Sequence, residues 1–251
     1  MSDFPTTEIL AAITHRPWPL PAGPWIMTQS WHDLLFAHWP VGVRELREQV
    51  PVGLELDLFE GQAYIGVIPF HMTNVAPRGV PSVPFVSAFT ELNVRTYVTV
   101  GGKPGIYFFS LDANSTVAVT AARTLFHLPY FLASMTVDVG VEEVSYRSRR
   151  TSDTRQAELA CTYRPAGPTY HARRGSLDWF LTERYCLYTL DSSNHVCRLE
   201  IHHAQWPLQR AEARFEINTM AEAAGLRLPS VAPVLHFARR QDMVAWPLFR
   251  L

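Results

Sequence analysis

Phe89-Thr90-Glu91-Leu92-Asn93-Val94-Arg95-Thr96-Tyr97-Val98-Thr99-Val100, the turn Gly101-Gly102-Lys103-Pro104-Gly105 and the returning run Ile106-Tyr107-Phe108-Phe109-Ser110-Leu111-Asp112 decide the fold. Alternation in the first segment puts Leu92, Val94, Val98 and Val100 on one face of a strand and Glu91, Asn93, Arg95 and Tyr97 on the other. The returning segment is apolar on both faces, which marks a strand covered on both sides. Its hairpin partner is then expected to be covered on both sides too, which would turn the polar face from Glu91 to Tyr97 into an enclosed space. On the residues alone three readings of that face stay open. It lines a pocket, it is a solvated strand face, or it carries a purely structural buried ion pair.

Working outward, hairpins recur on both sides of this pair. Leu54, Leu56 and Leu58 alternate with Glu55 and Asp57, Glu60-Gly61 turns, and Ala63 to Phe70 is a nearly continuous apolar run. Val75 to Pro84 is expected to be a loop around Pro77-Arg78-Gly79. Strands are expected from Met135 to Tyr146 and from Gln156 to Tyr163 around an arginine-rich turn. Tyr185 to Leu190 and Val196 to His202 form a further hairpin, Ala211 to Ile217 alternates, and Val234 to Leu251 closes the chain with strands. Helices are predicted from Ser30 to His38, where Trp31, Leu34, Leu35 and His38 follow helical spacing, and from Val43 to Gln49. Further helices are predicted from Ser115 to Phe126, after Gly175-Ser176, and from Asn218 to Gly225. Residues 1–30, with five prolines, read as an extended lead-in, and residues 31–251 as one domain. Strands in runs with a few interspersed helices indicate an α+β fold of antiparallel hairpins curled into a barrel or cone.

Composition narrows the function classes. The chain has 251 residues, 47% apolar and 18% charged, with a net charge of -1. That is an ordinary globular balance, with no electrostatic footprint for nucleic acid or an anionic membrane. No window of eighteen consecutive apolar residues suggests a membrane helix. The start Met1-Ser2-Asp3-Phe4-Pro5 does not read as a signal peptide. Cys161, Cys186 and Cys197 are odd in number and scattered, which suggests reduced thiols of a cytoplasmic protein rather than a disulfide framework. Cys186 and Cys197 flank a hairpin turn and can face each other.

Most familiar chemistries lack their residues. His202 and His203 are adjacent on a strand, face opposite sides and cannot chelate one ion; His38, His71, His127 and His236 have no ligand spacing, so no metal and no cofactor is expected. Ser87, Ser110, Ser115 and Ser134 lack the Gly-x-Ser-x-Gly elbow. Lys103, the only lysine, sits in a glycine-rich turn expected to be solvated, where its amine would stay protonated. The clusters around Arg147, Arg149, Arg150, Arg173 and Arg174 read as solvated turns, and Trp31, Trp39, Trp179 and Trp206 as core or rim packing.

Trp39-Pro40-Val41, Leu54-Glu55-Leu56-Asp57, Gly66-Val67-Ile68-Pro69-Phe70, Glu91-Leu92-Asn93-Val94-Arg95-Thr96-Tyr97, Phe108-Phe109-Ser110-Leu111-Asp112 and Leu181-Thr182-Glu183-Arg184-Tyr185 resemble the uncharacterised YqjF-like family of bacterial domains over roughly Trp31 to Ile217. That family is in turn distantly similar to acetoacetate decarboxylase, which implies a cone-like antiparallel barrel around a buried site. The decarboxylase forms a Schiff base on a lysine that follows a helix, a glycine and a proline. The similar stretch here is Ala122-Arg123-Thr124-Leu125-Phe126-His127-Leu128-Pro129-Tyr130; the proline is kept and Tyr130 stands where the lysine would be. The resemblance therefore implies the fold and a pocket without the imine.

The resulting expectation is a small-molecule pocket domain for an organic acid or another carbonyl compound. Arg95 is the anion anchor, Glu91, Asn93 and Glu183 are polar partners, and Tyr97 and Tyr130 are donors at the wall. Any reaction would be that of a lyase or hydrolase using carboxylate acid-base chemistry. The alternative is a non-catalytic interaction module with a filled barrel core, in which Glu91 and Arg95 are structural.

Overall fold

Alternating side chains between residues 89 and 112 become two long paired strands in the computed structural model, which describes residues 4–82, 87–153 and 155–251. In chain order the elements are α1 (Thr6–Ala11), β1 (Met27–Val41), α2 (Val43–Gln49), β2 (Glu55–Leu56), β3 (Ala63–Pro77), β4 (Phe89–Val100) and β5 (Lys103–Ala113). Then come α3 (Thr116–Phe126), β6 (Tyr130–Val139), β7 (Val144–Arg150), β8 (Glu158–Tyr170), α4 (Leu177–Thr182), β9 (Cys186–Leu190) and β10 (Val196–His203). β11 (Leu208–Asn218), a 3-10 turn (Glu222–Ala224), β12 (Val234–Ala245) and β13 (Phe249–Arg250) complete the described chain.

Pairing is continuous through one sheet. It runs from β5 through β6, β7, β8, β11, β12, β1, β3 and β4, and β4 pairs back onto β5. β9 and β10 bridge β5 to β12 along a second route. The expectation of antiparallel hairpins holds for most pairs, but β5–β6 and β5–β9 are parallel, so the sheet is mixed. For β5–β6 the cause is topological: α3 carries the chain across from the end of β5 to re-enter alongside it, as parallel neighbours require. At the β4–β5 turn, Gly101 and Gly102 both have positive φ, +57° and +74°, a backbone that glycine adopts without steric cost.

Apolar side chains occupy both faces of the central strands. Leu35, Ala37, Ile65, Val67, Leu92, Val94 and Val98 pack with Tyr146, Leu159 and Phe237 in one core. Leu34, Phe36, Ile68, Phe70 and Met72 pack with Leu111, Leu128, Tyr130 and Trp206 in a second. The Glu91 face of β4 turns toward this second core.

Several local expectations are corrected. Ser30 to His38 is not a helix but the middle of β1, which starts at Met27 and runs across the lead-in boundary expected at residue 30. Leu34 to Trp39 are all buried because both faces of β1 are covered, and an irregularity between His32 and Ala37, with Asp33 at φ 50°, breaks the two-residue period. Together these mimic helical spacing. The loop expected from Val75 starts later, since β3 continues to Pro77; Pro84, its expected end, lies outside the described residues, as do Met1, Ser2 and Asp3. The stretch Met135 to Tyr146 is broken by a turn, and β6 ends at Val139. Cys186 and Cys197 do not face each other: Cys186 is opposite Glu200 and Cys197 opposite Thr189. All three cysteines are buried and free.

Helix α3 forms where polar capping meets small apolar residues. The Ser115 hydroxyl accepts the Ala118 amide at 3.3 Å, and the helix ends on His127 in the left-handed conformation, φ 51°. Among the described residues, no helix is long and apolar enough to cross a membrane.

Candidate functional site

β4 positions a ladder of polar side chains at every second residue. Glu91, Asn93 and Arg95 all line one cavity of about 190 Å³ between the second core and α3. Strand geometry spaces successive members by roughly 7 Å. The same cavity is lined by Ile68, Phe70 and Met72 of the neighbouring β3, by Trp31, Leu34 and Phe36 of β1, and by Trp206. Small residues of α3, Ala118, Ala121 and Ala122, close one side. Ala121 is exposed to solvent as well, so this side of the cavity lies next to the surface.

Arg95 is 7% exposed. Its Nη2 donates to the Leu181 carbonyl at 3.1 Å and to the Tyr97 hydroxyl at 3.4 Å, and its Nε has no partner. The guanidinium lies 5.4 Å from the centre of the Phe36 ring and 5.8 Å from that of Tyr97. Among the described residues, no carboxylate pairs with it. A buried cation held by neutral acceptors and ring faces alone is costly, because its desolvation is not offset by a counter-charge.

Glu91 is 3% exposed. Its Oε2 accepts the Tyr130 hydroxyl at 2.6 Å, and its backbone carbonyl accepts the Tyr146 hydroxyl at 2.7 Å. Burial pushes its pKa up to about 7, against the opposing pull of hydrogen bonds from Tyr130 and Asn93. Tyr130, also at the cavity wall, is pushed well above the ordinary phenol value by burial and by the neighbouring carboxylate. Asn93 sits between the two charged members, and its Oδ1 has no partner. Titration of Glu91 near neutrality beside a phenol donor gives a proton that can be held or released in a water-poor space.

Tyr97 and Glu183, the other two predicted ligand-binding residues, are buried but do not line the cavity. The Tyr97 hydroxyl donates to the Leu181 carbonyl at 2.6 Å and lies 2.6 Å from His38 Nε2. With that proton committed, the Tyr97 oxygen accepts from an Nε2–H tautomer of His38. Burial first, then the nearby arginines, hold the His38 pKa well below its usual value. Tyr97 and Arg95 thus share one carbonyl. Glu183 accepts the Trp206 amide at 3.0 Å through Oε1 and the Tyr185 hydroxyl through Oε2. It anchors the backbone of the tryptophan that forms the wall. Burial raises its pKa.

Lys103 is not the solvated turn residue expected. It opens β5 and its Nζ lies 2.6 Å from Glu200 Oε1, with Arg16 and Arg198 on the same carboxylate. The side chain is 13% exposed and Lys103 is not among the lining residues of the cavity. The arginine-rich turn is corrected too: Arg150 lies inside, paired with Asp112.

Sequence reading missed the aromatic half of the site. Phe36 went unnoticed, and Trp31 and Trp206 read as packing. Trp31 and Gln29 are both on β1, and the Trp31 indole donates to Gln29 Oε1 at 2.8 Å. The signal was present as alternation from Met27 to Trp31, but the helical reading of the following residues hid it.

Comparison with known proteins agrees with the resemblance read from the sequence. The model of the DUF2071 family, described as an uncharacterized conserved protein, matches residues 28–242. The uncharacterized protein YqjF of Bacillus subtilis (strain 168) is 50% identical over 229 residues, covering 91% of this chain and 94% of that protein. Among solved structures, acetoacetate decarboxylase from Legionella pneumophila superposes with a TM-score of 0.61 at 14% identity, over 95% of this chain and 93% of that one. The enduracididine biosynthesis enzyme MppR complexed with pyruvate superposes with a TM-score of 0.61 at 10% identity, over 93% of each chain. At such identities the likeness is one of fold.

Proposed function

The chain belongs to the DUF2071 family, and we propose that it is a pocket domain for an organic acid or related carbonyl compound, carried in a barrel- or cone-like sheet. The observation that carries this reading is Arg95: a buried guanidinium at the cavity with an unpartnered Nε and no carboxylate paired to it among the described residues. A ligand carboxylate is the group whose charge and planar geometry complete such a cation. That the decarboxylase-like neighbour MppR is described with pyruvate bound supports the same ligand class.

In this reading Arg95 anchors the acid and Asn93 contacts its carbonyl. Glu91, hydrogen-bonded to Tyr130, holds a proton at the opposite end. Tyr97 and Glu183 act one step back, on the Leu181 carbonyl and the Trp206 backbone. The chemistry such a site supports is proton transfer by Glu91 next to a carbonyl, as in a lyase or hydrolase step without an imine. A cavity of about 190 Å³ favours this reading over a module with a filled core. Buried free thiols fit a reducing compartment such as the cytoplasm.

A thermal-shift screen of small carboxylates tests the proposal. Acids should raise the melting temperature of the full chain, and Arg95→Met should abolish the shift. A set of carboxylates that stabilises both proteins equally, or neither, would remove the anion site.

A further inference from the structure

We infer that the ligand is a flat acid, an aromatic ring bearing a short carboxylate arm, rather than a short hydrophilic acid; this rests on the organic-acid reading of the same site. The aromatic wall beside the ladder supports this. Phe36 lies beside the Arg95 guanidinium and meets Trp206 edge-on, ring centres 4.9 Å apart. Trp206 stacks on Trp31 at 5.7 Å and 14°, and Trp31 meets Phe70 at 6.3 Å and 72°. Phe70 is the register partner of Glu91. The aromatic wall therefore starts at Arg95 and ends level with Glu91, running alongside the whole ladder.

A ligand in this cavity meets the polar ladder of β4 along one edge and the rings beside it. Ring faces and edges attract another ring through quadrupole geometry that an alkyl chain lacks. Size agrees: a cavity of about 150 Å³ accepts benzene, and about 190 Å³ leaves room for a short carboxylate arm. The Trp206 indole Nε1 has no partner among the described residues, so the wall also offers a donor to an oxo or hydroxyl group on the arm. A two- or three-carbon acid would satisfy Arg95 and leave the rings uncovered.

Calorimetric titration of the full chain with phenylpyruvate, 2-oxooctanoate and pyruvate tests this. Phenylpyruvate should bind at least about thirtyfold more tightly than pyruvate, as expected for burying a phenyl group, and more tightly than 2-oxooctanoate. Ala121→Trp, at an exposed position on α3 that also lines the cavity, should weaken phenylpyruvate at least tenfold without unfolding the protein. Equal affinities for phenylpyruvate and pyruvate, or a preference for 2-oxooctanoate, overturn the flat-acid inference and leave the anion anchor standing. Failure of all three acids to bind, or binding that neither Arg95→Met nor Ala121→Trp weakens, overturns the proposed function with it.

Discussion

On β5 and β7, Asp112 and Arg150 are almost fully buried and closed on each other. Arg150 Nη2 donates to Asp112 Oδ1 at 2.6 Å and its Nε to Oδ2 at 3.0 Å, while its guanidinium lies 3.8 Å from the centre of the Phe131 ring. On β4, where Leu92 is the register partner of Asp112, Arg95 is buried just as deeply, yet among the described residues its cation meets a carbonyl, a hydroxyl and two rings and no carboxylate. The two arginines sit in one sheet at similar depth, so burial does not separate them; pairing does. A closed pair serves the fold, whereas an open cation at a cavity is what the proposed anion site requires.

Breaking each in turn gives the largest effect. Asp112→Ala takes the two-pronged partner from Arg150, leaves it the longer contact to Asp153 at 3.7 Å, and should cost about 3 kcal/mol of unfolding free energy. Arg95→Met removes a charge that has no counter-ion among the described residues, and should change the stability of the ligand-free protein by no more than about 1 kcal/mol. Urea denaturation of both variants measures the contrast. Equal losses would make Arg95 a structural group like Arg150.

Glu91 offers a second probe, by pH. Its folded pKa of about 7 lies above the ordinary value of 4.5. Between those values the unfolded chain releases a proton that the folded protein keeps. The folded state therefore binds more protons, and stability falls as pH rises from 4.5 to 7 and then levels off. The whole shift corresponds to roughly 3 kcal/mol. Glu91→Gln should flatten this slope and stand above wild type at pH 8, as melting curves across the range would record. A slope that survives the substitution assigns the effect to another group.

Tyr130→Phe sharpens the same point with a smaller effect. The lost hydroxyl donates to the Glu91 carboxylate, so its removal should cost about 1 kcal/mol and move the midpoint of the pH slope upward. A midpoint that moves down would mean that the phenol favours the neutral acid.

The same contrast explains what the sequence disclosed. Alternation at Glu91, Asn93 and Arg95 is a local property of one strand, and the doubly apolar β5 beside it told that the face is enclosed. Strand β1 was misread because coverage on both faces and the break near Asp33 erase the period of two on which the reading depends. Arg150 was misread because its main partner, Asp112, lies 38 residues away, and the nearby Asp153, also paired with it, is equally expected beside a solvated arginine. The aromatic wall is assembled from β1, β3 and the segment before β11, and only folding brings those rings together.

Lys103 provides the smallest effect and the sharpest chemical exclusion. Its ammonium shares Glu200 with Arg16 and Arg198, so Lys103→Met leaves that carboxylate with two cations rather than unpaired and should cost about 1 kcal/mol or less, within the range of ordinary substitutions. An imine needs a neutral amine within reach of the bound carbonyl. A lysine that is ion-paired and absent from the cavity lining fails on both counts. Borohydride added with acetoacetate should leave the intact mass unchanged. A reduced adduct on Lys103 would show that this amine reaches a bound carbonyl, and the division between an open site at Arg95 and closed ion pairs elsewhere would no longer hold.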